Sequence, residues 1–244
     1  MAPHVIVIIP AFNEARAIGR VIGDIPADLA TEVVVVNNAS TDETVRNARA
    51  AGATVLREER RGYGWACLRG LDYARAQRPD VVVFLDGDYS DHPDEMPRLV
   101  EPILSGGADF VLGSRMLGNR EPGAMLPQAV IGNRVACLAM RLVWGVRYTD
   151  LGPFRAIRFD ALEALGVGDT TFGWTIEMQI KAARAGLRTL EVPVSYRRRV
   201  GVSKVTGTVS GTLKASAKIL WTIARYAGEE LRPSQAPAPV TPNP

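Results

Sequence analysis

Apolar residues come in unbroken runs along this chain: Val5-Ile6-Val7-Ile8-Ile9, Val33-Val34-Val35-Val36, Val81-Val82-Val83-Phe84-Leu85, and Phe110-Val111-Leu112 within the strand from Asp109 to Gly113. None alternates apolar with polar, so each reads as a strand covered on both faces, as in a parallel sheet. Thr54-Val55-Leu56 and Leu187 to Val194 read as two further strands. Between them the pattern changes to a helical one. Helices are predicted over Ala15–Ile22, about Thr41–Ala51, from the Arg60–Trp65 turn to about Gln77, from His92-Pro93-Asp94-Glu95 to about Leu104, about Gln128–Val143, Asp160–Leu165, Glu177–Ala185 and about Val209–Leu231. Asn13 is placed to cap the first, and Ser40 with Glu43 has capping-box spacing for the second. Strand and helix alternating at this rhythm predict an α/β fold: a mostly parallel sheet with right-handed crossovers, in one domain over residues 1–231. Residues 232–244 carry five prolines and read as a disordered tail.

Chemistry gathers where the apolar runs stop. Val81–Leu85 runs straight into Asp86-Gly87-Asp88-Tyr89-Ser90-Asp91. Ligands of open α/β sheets bind beyond the carboxyl ends of the strands, so these three carboxylates are expected together in a crevice. Placed so close, they raise one another's pKa unless a cation joins them. An all-oxygen set suits Mg²⁺ or Mn²⁺, which usually share their coordination with substrate phosphates. Gly87 lets the backbone approach a ligand. The glycine-rich turn Arg60-Arg61-Gly62-Tyr63-Gly64-Trp65 fits neither GxGxxG nor GxxxxGK[ST], which excludes the dinucleotide and P-loop readings.

Composition narrows the partners. The 244 residues are 47% hydrophobic and 23% charged, enough for a sizeable core without disulfides. Cys67 and Cys137 have no ligand spacing and read as reduced thiols of a cytosolic protein. A net charge of +3 and a pI near 9.0 are too mildly basic to indicate nucleic acid. The basic residues are instead concentrated. Arg197-Arg198-Arg199 and Ser203-Lys204 form a basic loop, and Arg134 and Arg141 share one face of an apolar helix. Lys214, Lys218 and Arg225 run along the last helix, with Trp221 and Tyr226 as interfacial aromatics. The Gln128–Val143 face suits a membrane surface or a second copy of the chain. No signal peptide is visible, and no run approaches the roughly 18 apolar residues of a spanning helix. A soluble or peripheral protein is expected.

Four motifs then stand in a known order: Ile9-Pro10-Ala11-Phe12-Asn13-Glu14, Asn37-Asn38-Ala39-Ser40-Thr41-Asp42, Asp86-Gly87-Asp88 and Asp150-Leu151-Gly152-Pro153-Phe154-Arg155. Over about residues 4 to 226 the chain resembles family 2 glycosyltransferases, and within them the dolichyl-phosphate mannose synthase-like branch. The resemblance implies a Rossmann-like GT-A fold with amphipathic helices on the acceptor side. It implies metal-dependent, inverting transfer of a sugar from a UDP- or GDP-sugar to a polyprenyl phosphate or other lipid-linked acceptor, at the inner face of the membrane. Pro10, Ala11 and Glu14 would line the nucleoside pocket, Asn38 and Ser40 would sit near base or ribose, and Gly64, Asp86 and Gly87 would complete the donor site. Asp88 would hold Mg²⁺ or Mn²⁺ on the diphosphate, and Ser90 or Asp91 would add a metal contact. Arg199 and Lys204 would neutralise the leaving group. Arg115, Arg134, Arg155, Arg197 and Ser203 would hold the acceptor.

Two departures from the family pattern matter. Its acidic pair after the Val33–Val36 strand is Asn37-Asn38 here, which keeps hydrogen bonding, loses charge and leaves the base open. Its Asp-x-Asp-x-Gln pattern is replaced by one with an extra residue before His92-Pro93. A hydroxyl acceptor would need a general base, for which Glu177 and Asp150 are the candidates; a lipid phosphate is already an anion. Competing readings are transfer to a soluble hydroxyl acceptor, with inversion or retention, and a silent sugar-nucleotide binder. A nucleotidyltransferase would need a glycine-rich basic signature that Pro10–Glu14 lacks.

Overall fold

The computed structural model describes residues 2–201 and 209–230. Its strands are β1 (Val5–Ala11), β2 (Glu32–Asn37), β3 (Thr54–Arg57), β4 (Val81–Phe84), β5 (Phe110–Ser114), β6 (Arg155–Arg158) and β7 (Thr189–Pro193). Its helices are α1 (Ile18–Gly23), α2 (Thr44–Ala50), α3 (Tyr63–Gln77), α4 (Pro97–Leu104), α5 (Pro127–Trp144), α6 (Phe159–Leu165), α7 (Trp174–Arg184) and α8 (Val209–Glu230), with a 3₁₀ turn at Pro93–Glu95. Ser203, Lys204 and the proline-rich tail lie outside the described residues.

The strands form one sheet in the order β3-β2-β1-β4-β6-β5-β7. It is mostly parallel, as the apolar runs predict: β1 pairs in parallel with β2 and β4, β2 with β3, and β5 with β7. Only β6 runs against its neighbours β4 and β5. The sequence pattern does not predict this strand. Arg-Ala-Ile-Arg carries no run of apolar residues, and β6 is a strand because it is hydrogen-bonded on both sides.

The alternation of side chains along β1 sets the layers. Val5, Val7 and Ile9 point to one face, where Ile18 and Val21 of α1 and Leu99, Val100 and Ile103 of α4 cover them. Ile6 and Ile8 point to the other, under Cys67 and Leu71 of α3, Leu162 of α6 and Trp174 and Met178 of α7. Burying each such side chain contributes about 1.5–3 kcal/mol. Gly70 brings α3 onto the sheet, since a Cβ there would stand 2.5 Å from Ile8 Cγ2. A third apolar cluster joins α5, α7 and α8 through Met140, Ile176, Ile180 and Ile223.

Two predicted caps are corrected. Asn13 has a left-handed backbone (φ 54°), and α1 starts only at Ile18. The Asn13 Oδ1 accepts from Thr41 N–H at 2.8 Å, while its own N–H donates to Ser40 Oγ at 3.0 Å. Asn13 and Ser40 thus tie the loop after β1 to the loop after β2 and cap neither helix; Asp42 Oδ1 accepts from Thr44 N–H at the start of α2.

Because six strands share one direction, their carboxyl ends open on one edge of the sheet. The loops there carry Pro10–Glu14, Asn38–Asp42, Arg60–Gly64, Asp86–Asp91, Arg115 and Ser195–Arg199. The reversed direction of β6 delivers the loop before it, Asp150–Phe154, to the same edge.

Candidate active site

The carboxylate loop after β4 is folded by its own polar groups. Asp88 is 4% exposed and Asp91 2%. Asp88 Oδ1 accepts from Ser90 N–H at 2.9 Å and from the Ser90 hydroxyl at 2.5 Å. Tyr89 is forced to φ 66° and its ring lies between two guanidinium groups, Arg197 at 3.3 Å and Arg20 at 4.0 Å. Asp86 sits at the mouth, partly exposed. Burial, followed by Asp88, pushes the Asp86 carboxyl up to about 7. Burial, followed by Asp86 and Asp88, pushes Asp91 up to about 8. Asp91 Oδ1 is buried without a hydrogen-bond partner. A buried carboxylate oxygen left without a donor is costly, and a cation would satisfy it.

The residues fit a divalent cation on these grounds, with a limit. Among the described residues no three His, Cys, Asp or Glu side chains are grouped to close around a metal. One or two carboxylates with the remaining positions left to phosphate oxygens is the usual arrangement for Mg²⁺.

The segment after β7 straps this loop down. Asp91 and Tyr196 form an antiparallel bridge, Arg197 N–H donates to Ser90 O at 3.0 Å, and Val200 N–H donates to Asp88 O at 2.9 Å. The Arg197 guanidinium donates to Tyr89 O at 2.7 Å and Asp91 O at 3.0 Å. Arg199 Nη1 lies 2.8 Å from Asp88 Oδ2. Two of the loop's arginines are therefore engaged: Arg197 builds the carboxylate loop and Arg199 pairs with its central acid, while Arg198 is exposed. One-dimensional spacing carries no signal for either contact.

At the end of β2, Asn38 is 7% exposed and holds the next loop. Its amide donates to Glu58 O at 3.2 Å and Arg60 O at 2.7 Å, and its Oδ1 accepts from Gly62 N–H at 2.9 Å. Ala11 is buried, Pro10 half-buried, and Glu14 is buried with its N–H on Thr44 Oγ1 at 2.8 Å. Gly87 is buried, with Pro10 O 3.5 Å from where a Cβ would stand. Gly64 is required by packing, because a Cβ would stand 2.0 Å from Asp169 O. Arg61 stacks on Phe12 at 4.1 Å beside this pocket, a pairing that the sequence reading did not single out.

The residues expected at the acceptor are found in different states. Asp150 is fully buried and accepts from Arg115 N–H, Nε and Nη2 at 2.7–2.8 Å and from Leu151 N–H at 2.8 Å. Its ion-pair partner is thus Arg115, whose guanidinium also lies 5.1 Å from the Tyr196 ring. Arg155 is fully buried and donates to main-chain carbonyls, Gly152 O and Thr175 O, rather than facing a ligand. Burial pushes its pKa down to about 10. Glu177 is buried: Oε1 accepts from the Tyr226 hydroxyl at 2.7 Å and pairs with Lys181 at 3.0 Å, and Oε2 accepts from Gly168 N–H at 3.1 Å and Asp169 N–H at 2.5 Å. Tyr226 is therefore an interior residue, contrary to the interfacial role expected of it, while Trp221 is exposed. Arg134 is exposed on α5.

Residues 6–166 match the family model described as glycosyl transferase family 2. The chain belongs to that family. It is a glycosyltransferase, and it stands with the dolichyl-phosphate mannose synthase-like branch. An uncharacterised glycosyltransferase of Mycobacterium tuberculosis is 36% identical over 214 residues, 86% of this chain and 94% of that protein. An undecaprenyl-phosphate mannosyltransferase of Micrococcus luteus is 30% identical over 245 residues, 94% of this chain and 98% of that protein. Among solved structures, this family 2 chain resembles the glucosyl-3-phosphoglycerate synthase of Mycobacterium tuberculosis in complex with Mn²⁺, UDP-glucose and phosphoglyceric acid. The TM-score is 0.75 and the identity 26%, over 95% of this chain and 81% of that one.

Proposed function

We propose that this glycosyltransferase moves a sugar from a nucleoside-diphosphate sugar, UDP- or GDP-linked, to the phosphate of a polyprenyl phosphate, with inversion. The observation that carries the reading is the pair of saturated carboxylates at the acceptor side. Asp150 and Glu177, the two candidate bases, each have four donors on their oxygens. An acceptor that arrives as an anion needs no base, whereas a hydroxyl does. Direct attack by a phosphate oxygen on the face opposite the leaving diphosphate inverts the anomeric centre. The similarity to the Micrococcus luteus enzyme points the same way.

Asp88, with Asp91, would hold a divalent cation, Mg²⁺ or Mn²⁺, which when bound neutralises charge on the leaving diphosphate. Arg199 is within side-chain reach of whatever Asp88 holds and adds a second positive charge. Pro10, Ala11, Glu14 and Phe12 would receive the nucleoside, with Asn38 fixing the Arg60–Gly62 wall. Arg115 and Arg197 position the acceptor side through their bonds to Asp150 and to the carboxylate loop.

The lipid half is supported by α5. Ile131, Val135, Leu138 and Leu142 are exposed on one side of it, Leu142 by 77%. Arg134 and Arg141 lie on the same side, and α5 contains no acidic residue. An apolar stripe edged by arginines suits an anionic bilayer surface. No described helix is long and apolar enough to cross a membrane, so contact would be peripheral.

A second reading, a soluble phosphorylated acceptor, is favoured by the likeness to glucosyl-3-phosphoglycerate synthase. The deciding experiment offers radiolabelled UDP- and GDP-sugars, with Mn²⁺ or Mg²⁺, to undecaprenyl phosphate in vesicles and to 3-phosphoglycerate. Label in the organic phase establishes the lipid acceptor. Label only in the aqueous product moves the assignment to the soluble one. Nucleotide-sugar binding without turnover on either would leave a sugar-nucleotide binder.

A further inference from the structure

Asp88 Oδ1 is filled, and its Oδ2 already carries a positive charge. Ser90 occupies Oδ1 with two hydrogen bonds, and Arg199 occupies Oδ2 at 2.8 Å. A divalent cation that takes Asp88 Oδ2 is therefore brought against the Arg199 guanidinium and competes with it for that oxygen. The main chain beside that guanidinium stays in place, because Val200 N–H is bonded to Asp88 O at 2.9 Å. Arg197 fixes the same strap to Ser90 O, Tyr89 O and Asp91 O, and Arg198 N–H fixes it to Glu121 at 2.8 Å. With the main chain pinned, Arg199 can yield Oδ2 only by side-chain rotation, which keeps its charge beside the incoming ion.

From this geometry we infer that Arg199 is a built-in counter-cation: it competes with a divalent cation for Asp88 and makes cation binding depend on a nucleoside diphosphate. The inference rests on the donor-site reading above. With a cation alone, two positive charges share a half-buried crevice and repel one another. A diphosphate brings enough negative charge to satisfy both. Cation and nucleotide then bind with positive coupling, each raising the affinity for the other by the same factor. A merely structural arginine would give another pattern, because its loss would weaken cation and nucleotide alike.

The test uses the full chain and titration calorimetry with Mn²⁺ alone, and with UDP or GDP at saturating Mn²⁺. Arg199→Ala is expected to tighten Mn²⁺ alone and to weaken the nucleotide, lowering the coupling factor by about fivefold or more. Arg199→Lys restores part of the coupling, and Arg199→Gln repeats the Ala result without opening a gap. Unchanged or weaker Mn²⁺ affinity in both Arg199→Ala and Arg199→Gln overturns the inference, provided that Asp88→Asn abolishes the Mn²⁺ response. If Asp88→Asn and wild type respond alike, the donor-site reading itself fails, and the inference falls with it.

Discussion

Arg115 closes on Asp150 through its guanidinium at 2.7 and 2.8 Å and through its own backbone N–H at 2.8 Å. The pair ties the end of β5 to the loop that enters β6, and Asp150 is shut off from solvent. Removing one partner of a buried pair leaves the other charge uncompensated. Asp150→Ala is therefore expected to cost about 3–5 kcal/mol of stability. The check is a lowered urea midpoint at unchanged slope. A stable but inactive Asp150→Ala would return Asp150 to the role of base.

Tyr226 and Glu177 hold α8 against α7 from inside, at 2.7 Å. Tyr226→Phe removes one hydrogen bond to a carboxylate that keeps three other donors. A loss of about 1.5–3 kcal/mol is expected, the range for bonds to charged groups. Hydrogen exchange should accelerate in residues 215–230 before it does in β1 or β4. Uniform exchange along the chain would show that this bond does not anchor α8.

The face of α5 makes a quantitative prediction for membranes. Arg134→Ala together with Arg141→Ala removes two charges, each worth about 1 kcal/mol at an anionic surface. Binding to phosphatidylglycerol vesicles should fall by roughly 10- to 30-fold, and Leu138→Asp should weaken it at high salt too. Equal sedimentation of mutant and wild type with vesicles would count against a membrane face.

Asp109 carries the acid sensitivity of the far edge of the sheet. Arg188 bonds to it at 2.7 and 3.0 Å and Arg158 at 2.5 Å. The Arg188 hydrogen bonds hold its carboxyl down to about 2, against an ordinary 3.8. The folded state thus binds the proton less readily than the unfolded one. The contribution is fully present above about pH 4 and is lost as pH falls toward 2. Because both arginines are substantially exposed, it is on the order of 1–2 kcal/mol after screening. Asp109→Asn should be less stable than wild type at pH 6, and the difference should narrow by pH 2.5. A constant difference across that range would show that Asp109 does not titrate there.

The parallel sheet was legible because its strands are apolar without interruption, and such runs are stable only when covered on both faces. The site was legible because parallel strands end on one edge, so Pro10–Glu14, Asn37–Asp42 and Asp86–Asp91 had to meet. β6 was not legible, because Arg155 and Arg158 bracket only two apolar residues and the strand exists through its neighbours. Asn13 and Ser40 have capping chemistry, but they spend it on each other's loops. Only the packing of two loops decides that.

The sequence alone determined six strands of a mostly parallel sheet, which follow from local periodicity, and the order of four motifs at strand ends, which carries the resemblance to the family. Tertiary structure decided the partners of the charged groups. Arg199 reaches Asp88 from 111 positions away along the chain. Arg155 is buried among carbonyls, and Asp150 and Glu177 are already saturated. An ion pair forms between whatever charges folding brings within about 4 Å, and one-dimensional spacing carries no record of that distance.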